Sequence, residues 1–232
     1  MTQQQILKEL AEHEPTASPN GLAMYCPHSP WAKQKLFLEL EAKEVIYGGA
    51  AGGGKSDAIL MAALQYAHVP GYSALILRKD SQRLWLSGGL IPRSQAWLAG
   101  AQVSWNGTQK VIIFPSGARL QFGYLQTSVD KYRYGSSEFQ FIGWDELTEF
   151  DEDSYLFMFS RLRKTQDIPV PYRMRAASNP GGPGHAWVKK RFITAEAEAD
   201  NKTGNLKDVY WTDHGAPFVP PKIRDNPPVD PV

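Results

Sequence analysis

Apolar and polar positions along this chain change period repeatedly, from helical spacing to short strand-like runs and back. Residues 4–12 carry weak helical spacing, and 13–29 hold Pro, Asn and Gly in the manner of a loop. Trp31, Leu36, Phe37 and Leu40 line one side of a helix predicted over 30–42. Residues 44–47 predict a strand, and Ile59, Leu60, Ala63, Leu64 and Ala67 set helical spacing over 57–68, ended by Pro70 and Gly71. Residues 73–77 predict a short buried strand that delivers Arg78, Lys79 and Asp80 at its C-terminal end.

The middle of the chain changes character. Residues 102–105 and 110–114 flank Asn106-Gly107, a pair that favours a tight primed turn, and a further turn at 115–117 leads to a third strand over 118–124. Residues 128–137 are polar and predict a loop or short helix. The apolar run 139–144 ends in Asp145-Glu146, and a helix is predicted over 152–163 with Tyr155, Phe159 and Leu162 on one stripe. A strand over 172–177 runs into Ser178-Asn179-Pro180-Gly181-Gly182, followed by a helix over 185–193 and a polar connection over 195–207. The proline-rich stretch 217–232 predicts extended linker. Strands alternating with helices predict a doubly wound α/β domain, its mostly parallel sheet flanked by helices, with an antiparallel meander around 102–124 inserted in it or added to its edge. The expected organisation is an N-terminal extension (1–29), the domain (30–215) and a tail (216–232).

Composition changes this picture in three places. A hydrophobic content of 42% over 232 residues can bury a core, while a net charge of +1 means that any nucleic-acid contact has to come from a local patch. The single Cys26 excludes an intrachain disulfide framework, and Cys26 with His28 lacks the companions of a metal site. No apolar run reaches membrane-spanning length and the polar start is unlike a signal peptide, so a soluble, cytoplasmic protein is expected.

Candidate chemistry gathers at the predicted strand ends. Gly49-Ala50-Ala51-Gly52-Gly53-Gly54-Lys55-Ser56 fits G-x-x-x-x-G-K-[ST] between a strand and a helix. Small residues let the backbone wrap a triphosphate, and the helix start at Asp57 adds N–H donors and positive dipole. Lys55 would reach the terminal phosphates of ATP, and Ser56 would place its hydroxyl on Mg²⁺. Asp145, ending a buried strand, would hold the same Mg²⁺, and Glu146 would orient and polarise the attacking water. Ser178-Asn179 ends another strand, where it would either sense the γ-phosphate or simply make a turn. The cation that stabilises developing phosphate charge has candidates in Arg78 and Arg133, with Arg83, Arg161 and Arg163 behind them.

With these residues in place the chain resembles the ATPase half of a tailed-phage terminase large subunit. The resemblance is carried by residues 47–56, by Ile142-Gly143-Trp144-Asp145-Glu146-Leu147-Thr148-Glu149-Phe150, and by Ser178-Asn179-Pro180 with His185-Ala186-Trp187. It spans about residues 30–226 and implies a P-loop NTPase of the ASCE type, with ATP and Mg²⁺ as cofactors. Double-stranded DNA, a portal protein and a small terminase subunit are the implied partners, in a homo-oligomeric ring whose isolated domain is compatible with a monomer, in the host cytoplasm. It also implies that Ser178 and Asn179 couple hydrolysis to DNA movement, that Gln34 reads adenine, and that Arg133 acts on a neighbouring subunit's nucleotide.

Two departures stand out. Many relatives carry an arginine inside the phosphate loop, where Ala50 and Ala51 stand here, and nothing after Asn226 can supply the family's nuclease domain, so no DNA cleavage is expected. Two basic clusters, Arg161-Arg163-Lys164 and Lys189-Lys190-Arg191, are candidate DNA contacts or plain solvated faces. The alternatives are another P-loop ATPase acting on nucleic acid, helicase- or recombinase-like, and a nucleotide-gated assembly module with negligible turnover.

Overall fold

The computed structural model describes residues 21–49, 52–163 and 168–220. Among these, nine strands form one sheet: β1 (Glu44–Gly48), β2 (Ser73–Arg78), β3 (Ser104–Asn106), β4 (Val111–Ile113), β5 (Arg119–Tyr124), β6 (Phe141–Asp145), β7 (Arg173–Ser178), β8 (Tyr210–Trp211) and β9 (Pro217–Val219). Their spatial order is β3-β4-β5-β2-β6-β7-β1-β9-β8. The six strands from β5 to β9 run parallel to their neighbours, and antiparallel strands close each edge. The meander β3-β4-β5 is therefore an addition to one edge, with β5 in parallel register on β2.

Helices cover both faces. On one lie α1 (Gly21–Tyr25), α2 (Ala32–Glu39), α3 (Lys55–Leu64) and α4 (Leu90–Trp97), packed with Val45, Tyr47, Ala74 and Ile76. On the other, α5 (Glu152–Phe159) and α6 (His185–Phe192) cover Ile46, Leu75, Trp144 and Met174. Successive strand residues point to opposite faces, which is why Ile46 and Tyr47 enter different cores. Helix α3 is buried almost all round, as its Ala-Ile-Leu-Met-rich sequence requires of a central helix.

Several expectations are corrected. The hairpin β3-β4 closes through the four-residue loop 107–110, because Asn106 Oδ1 accepts from the Gln109 amide (3.0 Å) and Lys110, at φ 53°, takes the left-handed position. Residues 195–203, expected as polar connection, form α7 (Ala195–Thr203): Thr194 Oγ1 caps Ala197 N and Gly204 ends the helix in the left-handed conformation. Pro217–Val219, expected in an extended tail, pairs with β1, and Val219 is fully buried. The start of that tail thus belongs to the sheet, while 221–232 lies outside the described residues. At the other end α1 is part of the packed domain, with Gly21 N donating to Gln65 O (3.0 Å).

Candidate active site

Parallel strands β1, β2, β6 and β7 end side by side, so the loops that follow them share one edge. The phosphate loop leaves β1 and enters α3 at Gly54, which caps the helix at φ 65° and ψ 23°. Glycine is required twice over there. The backbone is left-handed, and a Cβ would come within 2.7 Å of both the Gln34 amide nitrogen and the Trp31 ring. Ala50 and Ala51 lie outside the described residues.

Lys55 and Ser56 stand in the first turn of α3, two residues earlier than the predicted helix start. Lys55 Nζ donates to Gly49 O (3.2 Å), and burial lowers its pKa against the opposing pull of Glu146. Ser56 Oγ donates to Asp145 Oδ1 (3.3 Å), bringing together the hydroxyl at the start of α3 and the carboxylate at the end of β6. These are hard oxygen donors suited to Mg²⁺. Asp145 is almost wholly buried, and its other oxygen is paired with Arg78 from the end of β2. Arg78 is thus a partner of the predicted metal-binding carboxylate, and burial lowers its pKa too.

Glu146 departs from the strand sharply. At φ 60° and ψ 59° it is left-handed, a conformation held against steric preference by its surroundings. Asn179 fixes its carboxylate: the backbone N–H donates to Glu146 Oε2 (3.2 Å) and the side-chain amide to Oε1 (3.0 Å). Ser178 accepts from the Thr148 amide (3.1 Å) and lies 2.8 Å from the Thr148 hydroxyl. Of the two roles open to Ser178-Asn179, these contacts join them to the segment after β6.

The remaining predicted residues are placed as follows. Gln34 is fully buried, its carbonyl accepting from Trp31 N (3.0 Å) and its amide donating to Gly54 O (3.0 Å), so it braces the phosphate loop. Asp57 pairs with Arg93 of α4. Arg133 is half-exposed, paired with Asp130 (2.6 Å) and lying over the Tyr124 ring at the end of β5. Arg83 pairs with Glu149, while Arg161 and Arg163 donate to the carbonyls of Gly135 and Ser160. Lys164 lies outside the described residues. Of the second basic cluster, Lys189 pairs with Glu198 (3.0 Å), and Arg191 grips Glu44 through two bonds of 2.9 Å. The part that Thr148, Trp31 and Arg93 play at the site was not read from sequence. Their roles depend on contacts between distant segments, which a single sequence does not display.

Comparison with known proteins shows the same fold elsewhere. Solved structures of similar fold include the large terminase of a thermophilic bacteriophage (TM-score 0.60, 14% identity, covering 85% of this chain and 47% of that one). The HK97 bacteriophage large terminase is a second (TM-score 0.55, 12% identity, 82% and 42%). The N-terminal domain of the DNA packaging ATPase from bacteriophage phi29 is a third (TM-score 0.53, 13% identity, 82% and 95%). The chain spans about half the length of the two large terminases. No curated protein matches it by sequence. Residues 46–231 match the family described as terminase large subunit, T4likevirus-type, N-terminal. A mostly parallel sheet with its phosphate loop and acidic pair at one edge, together with that match, makes this chain a member of the terminase large subunit family.

Proposed function

We propose that the chain is an ATP-hydrolysing motor domain that moves double-stranded DNA into a phage procapsid. The observation that carries this reading is the Ser56–Asp145 pair beside a Glu146 carboxylate held by Asn179. Lys55 and the start of α3 bind the phosphates of ATP. Ser56 and Asp145 would hold Mg²⁺, which would supply neutralisation of the phosphate charge. Glu146 orients water against the γ-phosphate and takes its proton. Arg78 reaches this edge in the same chain, whereas Arg133, exposed beside the end of β5, is the candidate for acting on a neighbouring subunit's nucleotide. Ring assembly, contacts with a portal protein and a small subunit, and a place in the host cytoplasm are part of the same proposal. Among the described residues, no helix is long and apolar enough to cross a membrane.

The test is turnover by Glu146→Gln. This variant is expected to bind ATP as the parent does and to hydrolyse it about 10²-fold more slowly. Parent-like turnover removes Glu146 from the mechanism. A parent protein that binds ATP without turnover would instead favour the nucleotide-gated module. DNA-stimulated hydrolysis in the parent protein would support the motor.

A further inference from the structure

Beside the first turn of α3 stands a group of aromatic rings that the phosphate chemistry leaves unused. His28 and Trp31 stack, with centroids 5.8 Å apart at 22°, and Trp97 of α4 meets the same His28 ring edge-on at 5.6 Å. The His28 side chain keeps 36% of its surface exposed, and its Nε2 lies 4.0 Å from Asp57 Oδ2. Trp31 and Trp97 are half-buried, with Trp31 also against Gly54. The rings therefore border both ends of the Gly54–Asp57 segment.

A nucleotide bound with its terminal phosphate toward Asp145 and Glu146 would run its phosphate chain past Lys55 and Ser56. Its nucleoside end would then lie toward Asp57, whose carboxylate is 4.0 Å from His28. Edge recognition by Gln34 is blocked, because both ends of its amide are already bonded and the residue is fully buried.

We infer that His28, backed by Trp31 and Trp97, stacks on the base of the bound nucleoside triphosphate, which is held by its face and not by its edges. This rests on the nucleotide-binding reading above. Stacking surfaces tolerate different bases, so GTP competes for the site alongside ATP.

The test compares calorimetric binding of ATP and of inorganic tripolyphosphate to the parent protein, His28→Ala and His28→Phe. His28→Ala should bind ATP about tenfold more weakly while binding tripolyphosphate unchanged, and His28→Phe should restore ATP binding. Unchanged ATP affinity in His28→Ala overturns the inference. So does an equal loss for both ligands, which would mean that His28 only supports the loop. A parent protein that binds neither ligand overturns the phosphate site as well. One that binds tripolyphosphate no less tightly than ATP keeps the phosphate site and overturns the stacking.

Discussion

Asn179 holds Glu146 at both carboxylate oxygens, through its backbone N–H at 3.2 Å and its side-chain amide at 3.0 Å. A carboxylate at the end of a strained, left-handed residue is thereby fixed from the neighbouring strand, so β7 sets the aim of a group that β6 carries. Asn179→Ala keeps only the backbone bond. Turnover is expected to fall about 10²-fold, the cost of misplacing a reacting group by about an ångström, with ATP affinity unchanged. Steady-state kinetics alongside direct ATP binding checks this; a loss confined to affinity would place Asn179 on the nucleotide instead.

Ser178 anchors the same junction from beneath. Ser178→Ala removes the acceptor of the buried Thr148 N–H, and about 1–3 kcal/mol of stability should go with it. Urea unfolding measures the effect. Stability equal to that of the parent protein would show that Thr148 finds another acceptor, and that the β6–β7 link is looser than its geometry.

Lys55 gives ATP binding a pH dependence whose sign is fixed. Burial, the larger cause, lowers its pKa from the ordinary 10.5, and Glu146 opposes the shift. Bound phosphates add negative charge and raise the pKa again. In the window between the free and bound values, binding takes up a proton and affinity falls as pH rises; below the window Lys55 contributes no pH dependence. Calorimetry in buffers of differing ionisation heat, from neutral pH up to about the ordinary lysine range, should show that uptake. Its absence, or its persistence in Lys55→Met, would remove Lys55 as the group responsible.

Arg191, left open by the sequence between a DNA contact and a solvated face, is engaged within the fold. Its guanidinium bonds both oxygens of Glu44, whose Oε2 also accepts from the buried Tyr155 hydroxyl (2.7 Å). Arg191→Ala should destabilise the fold by about 2–3 kcal/mol, below the full cost of splitting a buried pair because Arg191 is 22% exposed. DNA affinity and its salt dependence should not change. A shallower salt slope in this variant would return Arg191 to the DNA surface.

Local pattern determined much of this protein. Periodicity placed the main strands and α3, because a buried strand or helix must repeat its apolar residues at the period of its own geometry. The phosphate loop and the Asp145-Glu146 pair were legible for a related reason: their chemistry demands particular residues at fixed spacing along a short stretch of backbone. Helix α7 and strand β9 were misread because their apolar content is low or short. A threonine cap, a terminal glycine and pairing with β1 form these elements in place of a strong periodic signal.

Only the tertiary structure decided how the site is held together. Ser56 meets Asp145 across 89 positions of sequence, Asn179 meets Glu146 across 33, and Gln34 meets Gly54 across 20. It also decided which charges are spoken for, turning Arg78 toward Asp145 and Arg191 toward Glu44. Spacing along a chain constrains only neighbours that share a helix or strand. Contacts between strand ends depend on the order in which the sheet assembles, and that order is set by packing the two cores together.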